Sequence, residues 1–131
     1  MDNTTLLIEF KNYLSKKGIT YMEVDFETLH FKFNQLDYVF QVDDRDDSYF
    51  RFILPNVLKI TEHNKSQIRD YISSMNSEFK VGKIVEVSDD VWITAESFVY
   101  SFFSISLLFD RLIFLLLEIY KKSKDDLNKK I

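Results

Sequence analysis

The stretch YVFQVDDRDDSYFRFILP, from Tyr38 to Pro55, decides the fold predicted for this chain. On both sides of its acidic centre, apolar and polar residues alternate with the period of two that is typical of a half-buried β-strand. The centre, Asp44 to Asp47, consists of turn-forming residues and has a length suited to joining two antiparallel strands. The stretch therefore predicts a β-hairpin. We expect Pro55 to end it, because proline has no amide hydrogen for a central ladder.

The four aspartates around Arg45 also raise the question of a metal or catalytic site. A calcium loop of the EF-hand type needs a glycine at its sixth position and a carboxylate at its twelfth. Ser48 and Tyr49 occupy the glycine position in the two possible registers, so neither register fits. The favoured interpretation is a solvated hairpin tip, and the alternatives are weak cation binding or a true metal or catalytic site.

A helix and two further strands are predicted before the hairpin. Residues 3–17 carry apolar side chains at helical spacing, with Asn3 available as N-cap and Gly18 as a stop signal. Residues 21–26 and 29–33 alternate with period two and extend the hairpin into an antiparallel meander. The outer face and the end of its edge strand are marked by Glu23, Asp25 and Glu27.

A second helix and a second hairpin are predicted after Pro55. Residues 65–79 carry one apolar stripe at helical spacing, and Asn64 with Gln67 has the spacing of a capping box. Residues 80–87 and 91–94 read as two strands joined by a tight turn.

The last helix, expected from about Ala95 to Lys124, is apolar over most of its circumference. One four-three repeat forms a seam suited to packing on the sheet, and a second apolar arc lies beside it. A helix of this kind must be covered on more than one side, so the second arc predicts contact with another chain, as a symmetric dimer. The residues predicted to mediate self-association are Phe103, Leu107, Phe114 and Leu117.

Membrane association is the alternative use of this helix. Residues 98–120 are long enough to cross a bilayer. Asp110 and Arg111 lie near the midpoint, and each costs roughly 3 kcal/mol on insertion scales, which argues against a spanning helix and a membrane partner. Residues 121–131 are expected to form a solvated tail, and its lysines suit the C-terminal end of a helix.

Composition limits the remaining possibilities. A chain of 131 residues fits one domain over residues 1–131, and a hydrophobic share of 46% with 13 phenylalanines indicates a packed core. The net charge of -4 lacks the basic footprint of a nucleic-acid binder. Because the chain has no cysteine and its N-terminus is unlike a signal peptide, we expect a cytoplasmic protein without disulfides.

No stretch matches a nucleophile elbow, a zinc-protease helix or a phosphate-binding glycine loop. His30 falls on the polar side of a strand and His63 just before a helix, so both are expected to be surface residues. We therefore expect a non-enzymatic chain with no catalytic residue, cofactor or metal. A small enzyme or a cation-binding protein is the remaining alternative.

The order of these elements resembles a known family. A short helix ending at Gly18 is followed by a strand over residues 21–25, the hairpin of residues 38–55, a strand with Lys83 before the stretch DDVWITAE, and an apolar C-terminal helix. In this order the chain resembles the YbjN-type bacterial sensory-transduction regulators and the type III secretion chaperone-like fold.

The resemblance implies an α+β domain: a helix, an antiparallel β-meander, a helix, a β-hairpin and a long C-terminal helix packed on one sheet. It also implies a cytoplasmic, dimeric protein without enzymatic activity. Secretion chaperones bind extended segments of client proteins, so the expected function is that of a protein-binding or chaperone-like regulatory module. The partner would be bound by strand addition at a sheet edge or by a helix in a groove.

Overall fold

A computed structural model of the chain describes residues 2–99, 101 and 104–130, without the side chains of residues 129 and 130. The helices in these residues are α1 (Asn3–Lys16), α2 (Lys65–Asn76) and α3 (Ile105–Lys130). The strands are β1 (Tyr21–Asp25), β2 (Thr28–Phe33), β3 (Leu36–Asp43), β4 (Asp46–Lys59), β5 (Gly82–Val87) and β6 (Asp90–Phe98).

The strands form one antiparallel sheet in the order β1-β2-β3-β4-β6-β5. The predicted hairpin is confirmed: Val42 pairs with Phe50, and Asp43 pairs with Asp46 across the turn. The later hairpin returns β6 to the side of β4, so β5 becomes the second edge of the sheet and β1 remains the first. The predicted α+β class, with a long C-terminal helix on one sheet, is confirmed.

The core lies between the sheet and a layer that contains α1 and α3. Phe10 of α1 is fully buried, and the centroid of its ring lies 4.2 Å from that of Phe40 and 5.0 Å from that of Phe109 on α3. Aromatic pairs of this geometry contribute roughly 0.5–1.5 kcal/mol each beyond the area they bury. At β5, a Cβ atom on Gly82 would lie 2.4 Å from Cδ1 of Ile119, so glycine permits the close approach of α3.

The predicted start of the last helix at Ala95 was wrong. Residues 95–98 complete β6, and α3 begins at Ile105. Ala95 pairs with Phe52 on one side and with Gly82 on the other, so it occupies an interior position of the sheet with strands on both sides. Apolar residues that suit a helical repeat also suit this strand, and pairing with both neighbours decided the outcome.

The end of α3 also differs from the expected solvated tail. The helix continues to Lys130, and Leu127 and Ser123 are buried. The hydroxyl of Tyr71 on α2 donates a hydrogen bond to Asp126 at 2.9 Å. The charged residues of this segment therefore form one face of a packed helix.

The sequence suggested that Pro55 would end its strand, but it does not. β4 continues to Lys59, and the register between β4 and β6 is irregular between Leu54 and Leu58. Asn56, directly after the proline, has a φ of 55°. A bulge of this kind interrupts the ladder, so the missing amide hydrogen of Pro55 costs no regular ladder bond.

One predicted N-cap residue was wrong, and the other, Asn64, is at the predicted position but does not form the predicted capping bond. The N-cap of α1 is Asp2, whose Oδ1 accepts a hydrogen bond from the amide of Thr5 at 2.8 Å, in place of Asn3. Asn64 makes no side-chain cap for α2, because its Oδ1 accepts from the amide of Thr61 at 2.7 Å. Its side chain stabilises the turn before the helix.

The segment of residues 98–120 that raised the membrane question is not one helix. Phe98 ends β6, and α3 begins at Ile105. No helix in the described part of the chain is long and apolar enough to cross a membrane.

Candidate functional site

The acidic hairpin tip forms a polar cleft of 490 Å³. Carboxylate oxygens of Glu27, Asp43 and Asp44 lie within 4.8 Å of one another. Arg45 donates to both oxygens of Asp43, at 3.1 and 2.9 Å, and the amide of Asp44 donates to Oε2 of Glu27 at 2.8 Å. The hydrogen bonds from Arg45 lower the pKa of the Asp43 carboxyl to about 2. These contacts are those of a hydrogen-bonded hairpin tip.

The two histidines lie at the surface positions that the sequence suggested. Nε2 of His30 on β2 lies 3.4 Å from Oδ1 of Asp37 on β3. His63 is exposed in the turn that precedes α2.

The four residues predicted to mediate self-association do not share one environment. Leu107 and Phe114 are 66% and 57% exposed on α3. Leu117 is only 5% exposed, because it lies three residues beyond Phe114 and thus about 60° around the helix axis, on a buried side. Phe103 lies outside the described residues. The exposed part of the predicted set is therefore Leu107 and Phe114.

The β5 edge of the sheet is covered by the C-terminal end of α2. The side chain of Asn76 donates to the carbonyl of Ile84 at 2.7 Å and accepts from the amide of Ile84 at 2.8 Å. This amide group supplies the donor and the acceptor that a neighbouring strand would supply. The ammonium group of Lys83 also donates to the carbonyls of Asn76 and Phe79, at 3.2 and 3.3 Å. The middle of this edge is therefore already paired.

The β1 edge, in contrast, is open. All five residues of β1 are exposed, and among the described residues the strand pairs only with β2. Four of the six residues from Tyr21 to Phe26 are large apolar or aromatic residues. Met22, Val24 and Phe26 are 61%, 58% and 78% exposed. Exposed edges are usually protected by charge and irregularity, and the apolar content here departs from that rule.

A groove of 510 Å³ lies between α1 and the β1 edge. Ile8 of α1 and Phe26 beside β1 are exposed at its sides, and Leu29 of β2 also lines it. An ion pair between Lys11 and Glu23 connects the helix to the strand. The register between β1 and β2 is irregular between Glu23 and Asp25, which limits the regular free edge to residues 21–23.

The sequence predicted β1 as an edge strand but not the difference between the two edges. Asn76 reaches Ile84 only because α2 folds back along β5, and no local pattern reports that contact. Glu27 joins the acidic cleft because the β1–β2 turn and the β3–β4 turn lie at the same end of the sheet. One signal was available: Tyr21, Met22 and Val24 are apolar at both odd and even positions, which is unusual for a strand with a solvated face.

No protein-family model matches the chain, and no curated protein matches its sequence. Among solved structures, the chain is similar to YbjN from E. coli, which is described as a candidate transcription regulator. The TM-score is 0.65 with 13% sequence identity, and the match covers 87% of each chain. Similarity at this level of identity is similarity of fold. The resemblance inferred from the order of elements is confirmed at that level, and the chain has the YbjN-type fold.

Proposed function

We propose that this chain is a non-enzymatic protein-binding module, chaperone-like or regulatory in role, that binds an extended segment of a partner protein at the β1 edge. The observation that carries the proposal is the difference between the two sheet edges. The middle of the β5 edge is paired by Asn76, whereas β1 is exposed and rich in apolar residues. An apolar open edge is the feature that strand addition requires.

The groove beside β1 supplies side-chain recognition for the same segment. A partner strand beside residues 21–23 would form main-chain hydrogen bonds, and an apolar side chain from it would enter the groove between Ile8 and Phe26. The net charge of -4 disfavours an acidic segment. The proposed partner is thus an extended segment of neutral or basic character with at least one large apolar side chain.

The fold and the composition support this role. YbjN, which shares the fold, is described as a candidate transcription regulator, and a regulatory role is compatible with binding of a partner protein. We place the activity in the cytoplasm, because a chain without cysteine suits a reducing compartment. We also propose that the module acts as a dimer, since Leu107 and Phe114 leave apolar surface on α3.

The proposal is tested with the double substitution Met22→Glu and Phe26→Glu. The partner is first isolated with the wild-type chain, and its bound segment is then synthesised as a labelled peptide. Burial of one phenylalanine side chain contributes about 1.5–3 kcal/mol, so we expect peptide affinity to fall roughly tenfold to a hundredfold. Titration by fluorescence anisotropy measures the change.

The control is Val81→Glu, which adds one negative charge, half the change in the double variant, at a half-exposed apolar position beside the other edge. We expect this variant to bind the peptide as the wild type does. Hydrogen exchange of the complex should show new protection at amides within residues 21–23. Protection at β5 or α3 with β1 unchanged, or full affinity in the Met22 and Phe26 double variant, would show that the β1 proposal is wrong.

A further inference from the structure

One face of α3 carries an exposed stripe in which apolar and charged residues alternate. The α3 stripe consists of Leu107, Arg111, Phe114 and Glu118, all of which are exposed. Their separations of four, three and four residues place them along one side of the helix. Other faces of α3 pack in the core, where Phe109 and Leu116 are fully buried.

The two charged residues of the α3 stripe have no ion pair within the part of the chain that the structure describes. Arg111 and Glu118 are seven residues apart, about 10 Å along the axis, which is too far for them to pair on one helix. Neighbouring charges are engaged elsewhere. Asp110 binds Lys17 of α1 at 3.2 Å, and Lys122 binds an aspartate one turn further along at 3.2 Å.

We propose that the α3 stripe binds the same stripe of a second copy of this chain, with the two helices antiparallel. A two-fold axis beside Phe114 places Arg111 of each copy level with Glu118 of the other copy. The two Phe114 rings then meet at the axis, and Leu107 covers the aliphatic stem of Lys122 of the second copy. Such an interface is self-complementary, because each contact occurs twice.

Charge complementarity identifies both the occupant and the direction. In an antiparallel pair, each unpaired cation meets an unpaired anion, so the stripe is its own complement. In a parallel pair, Arg111 would face Arg111 and Glu118 would face Glu118, and both contacts are repulsive. The α3 stripe therefore fits a second copy of this chain in one orientation only.

This inference rests on the proposed function only in its statement that the module is a dimer, and it adds the surface and the geometry. The stripe spans about 16 Å from Leu107 to Glu118. Contact along one short helix stripe belongs to the smaller class of interfaces, in which association is transient. Each copy carries a net charge of -4, so the local charge pairs also have to offset a general repulsion.

The experiment exchanges the charges at positions 111 and 118. Sedimentation of the full chain at micromolar concentrations then measures its self-association. Arg111→Glu alone, or Glu118→Arg alone, places like charges opposite each other twice in the dimer. We expect each single variant to weaken association roughly tenfold or more, and the double variant Arg111→Glu with Glu118→Arg to restore it. Both residues are exposed, so circular dichroism should be unchanged.

A monomeric wild-type chain, or single variants that dimerise as the wild type does, would overturn the inference. The relative direction of the two helices is tested separately, by disulfide cross-linking. Introduced cysteines can be used for this purpose because the chain has no cysteine of its own. Arg111→Cys combined with Glu118→Cys should give a covalent dimer on mild oxidation, whereas Arg111→Cys alone should not. Rapid cross-linking of the single variant would indicate a parallel pair and would contradict the proposal.

The proposals about the β1 edge and the α3 stripe can be contradicted independently of each other. The Met22→Glu and Phe26→Glu double variant changes only the β1 edge and should dimerise as the wild type does. If it is monomeric, the dimer uses β1 and the inference about α3 is wrong. The monomeric Arg111→Glu variant should still bind the peptide in the β1 assay. Loss of that binding would count against the proposed function and not against the α3 dimer.

Discussion

Tyr38 and Tyr71 show how the same side chain can have opposite effects on stability. Tyr38 is fully buried on β3, and its hydroxyl has no hydrogen-bond partner among the described residues. Tyr71 is also buried, but its hydroxyl donates to Asp126 at 2.9 Å. A buried hydroxyl without a partner costs free energy, whereas one with a partner contributes a little.

Replacement of each tyrosine by phenylalanine should therefore have opposite results. We expect Tyr38→Phe to raise the free energy of unfolding by up to about 1 kcal/mol, since it removes an unsatisfied polar group and keeps the ring. We expect Tyr71→Phe to lower it by about 1 kcal/mol, because the hydrogen bond from this hydroxyl to Asp126 is lost. Denaturant titration at neutral pH measures both. A loss of stability in Tyr38→Phe would show that the hydroxyl has a partner.

The exposure of individual side chains decides which part of the predicted self-association set is accessible. Phe114 and Leu117 are both large and apolar, and the sequence placed them on one arc. The rotation of α3 against the sheet exposes Phe114 and buries Leu117. Only the packing of the helix distinguishes them.

At the scale of elements, the C-terminal half of α3 is the clearest departure from expectation. Residues 121–131 are rich in charge, and charge normally indicates a solvated segment. The few apolar residues here recur at helical spacing from the preceding helix, and Leu127 is buried. The contact between Tyr71 and Asp126 joins this end of α3 to α2.

Substitution of Leu127 tests whether this end is part of the core. We expect Leu127→Ala to lower the free energy of unfolding by about 2 kcal/mol or more, which is the usual range for removal of a buried leucine side chain. The control is Asn128→Ala, which changes an exposed neighbour and should alter stability by less than about 0.5 kcal/mol. Calorimetric or denaturant unfolding of both chains gives the comparison. Equal and small effects would instead support a solvated tail.

At the scale of the whole molecule, several tyrosines are held in their neutral form. Burial raises the pKa of Tyr38 to about 12 and that of Tyr71 to about 12, and Asp126 acts in the same direction on Tyr71. Burial also raises the pKa of Tyr13 and Tyr49, whose hydroxyls donate to Asp110 and Glu96 respectively. These residues lie in different elements, so their titration is coupled to the fold as a whole.

The chain should therefore lose stability in alkaline solution. In the unfolded state tyrosine loses its proton near pH 10, whereas Tyr38 and Tyr71 keep theirs in the folded state until about pH 12. The unfolded state binds fewer protons over this range, so the free energy of unfolding falls as pH rises from about 10 to about 12. Below pH 10 this contribution is fully present.

Denaturant titration at a series of alkaline pH values measures this fall in stability, and the absorbance of tyrosinate follows ionisation directly. The double variant Tyr38→Phe with Tyr71→Phe removes two of the groups responsible, so we expect its stability to depend less steeply on pH in this range. An equally steep dependence in the double variant would show that these two tyrosines do not contribute.

The sequence by itself determined the features that depend on local pattern. Alternation with period two predicted the meander and the hairpin of residues 38–55, and helical spacing predicted α1 and α2. The turn predicted at residues 44–47 forms a hairpin tip as its composition indicated, but it is shorter, because Asp43 already pairs with Asp46 and β4 begins there. Each of these patterns acts within a few residues, because side-chain direction repeats every two residues in a strand and every 3.6 in a helix.

The tertiary structure decided what depends on neighbours far away in the chain. Ala95 pairs with strands on both sides, so its segment belongs to β6 and α3 begins only at Ile105. The packing of that helix determines which of its apolar residues are exposed. Asn76 closed one sheet edge while the β1 edge stayed open. The physical reason is the same in each case: hydrogen bonding and burial are completed by residues that lie close in space but distant in sequence, and a local pattern cannot specify them.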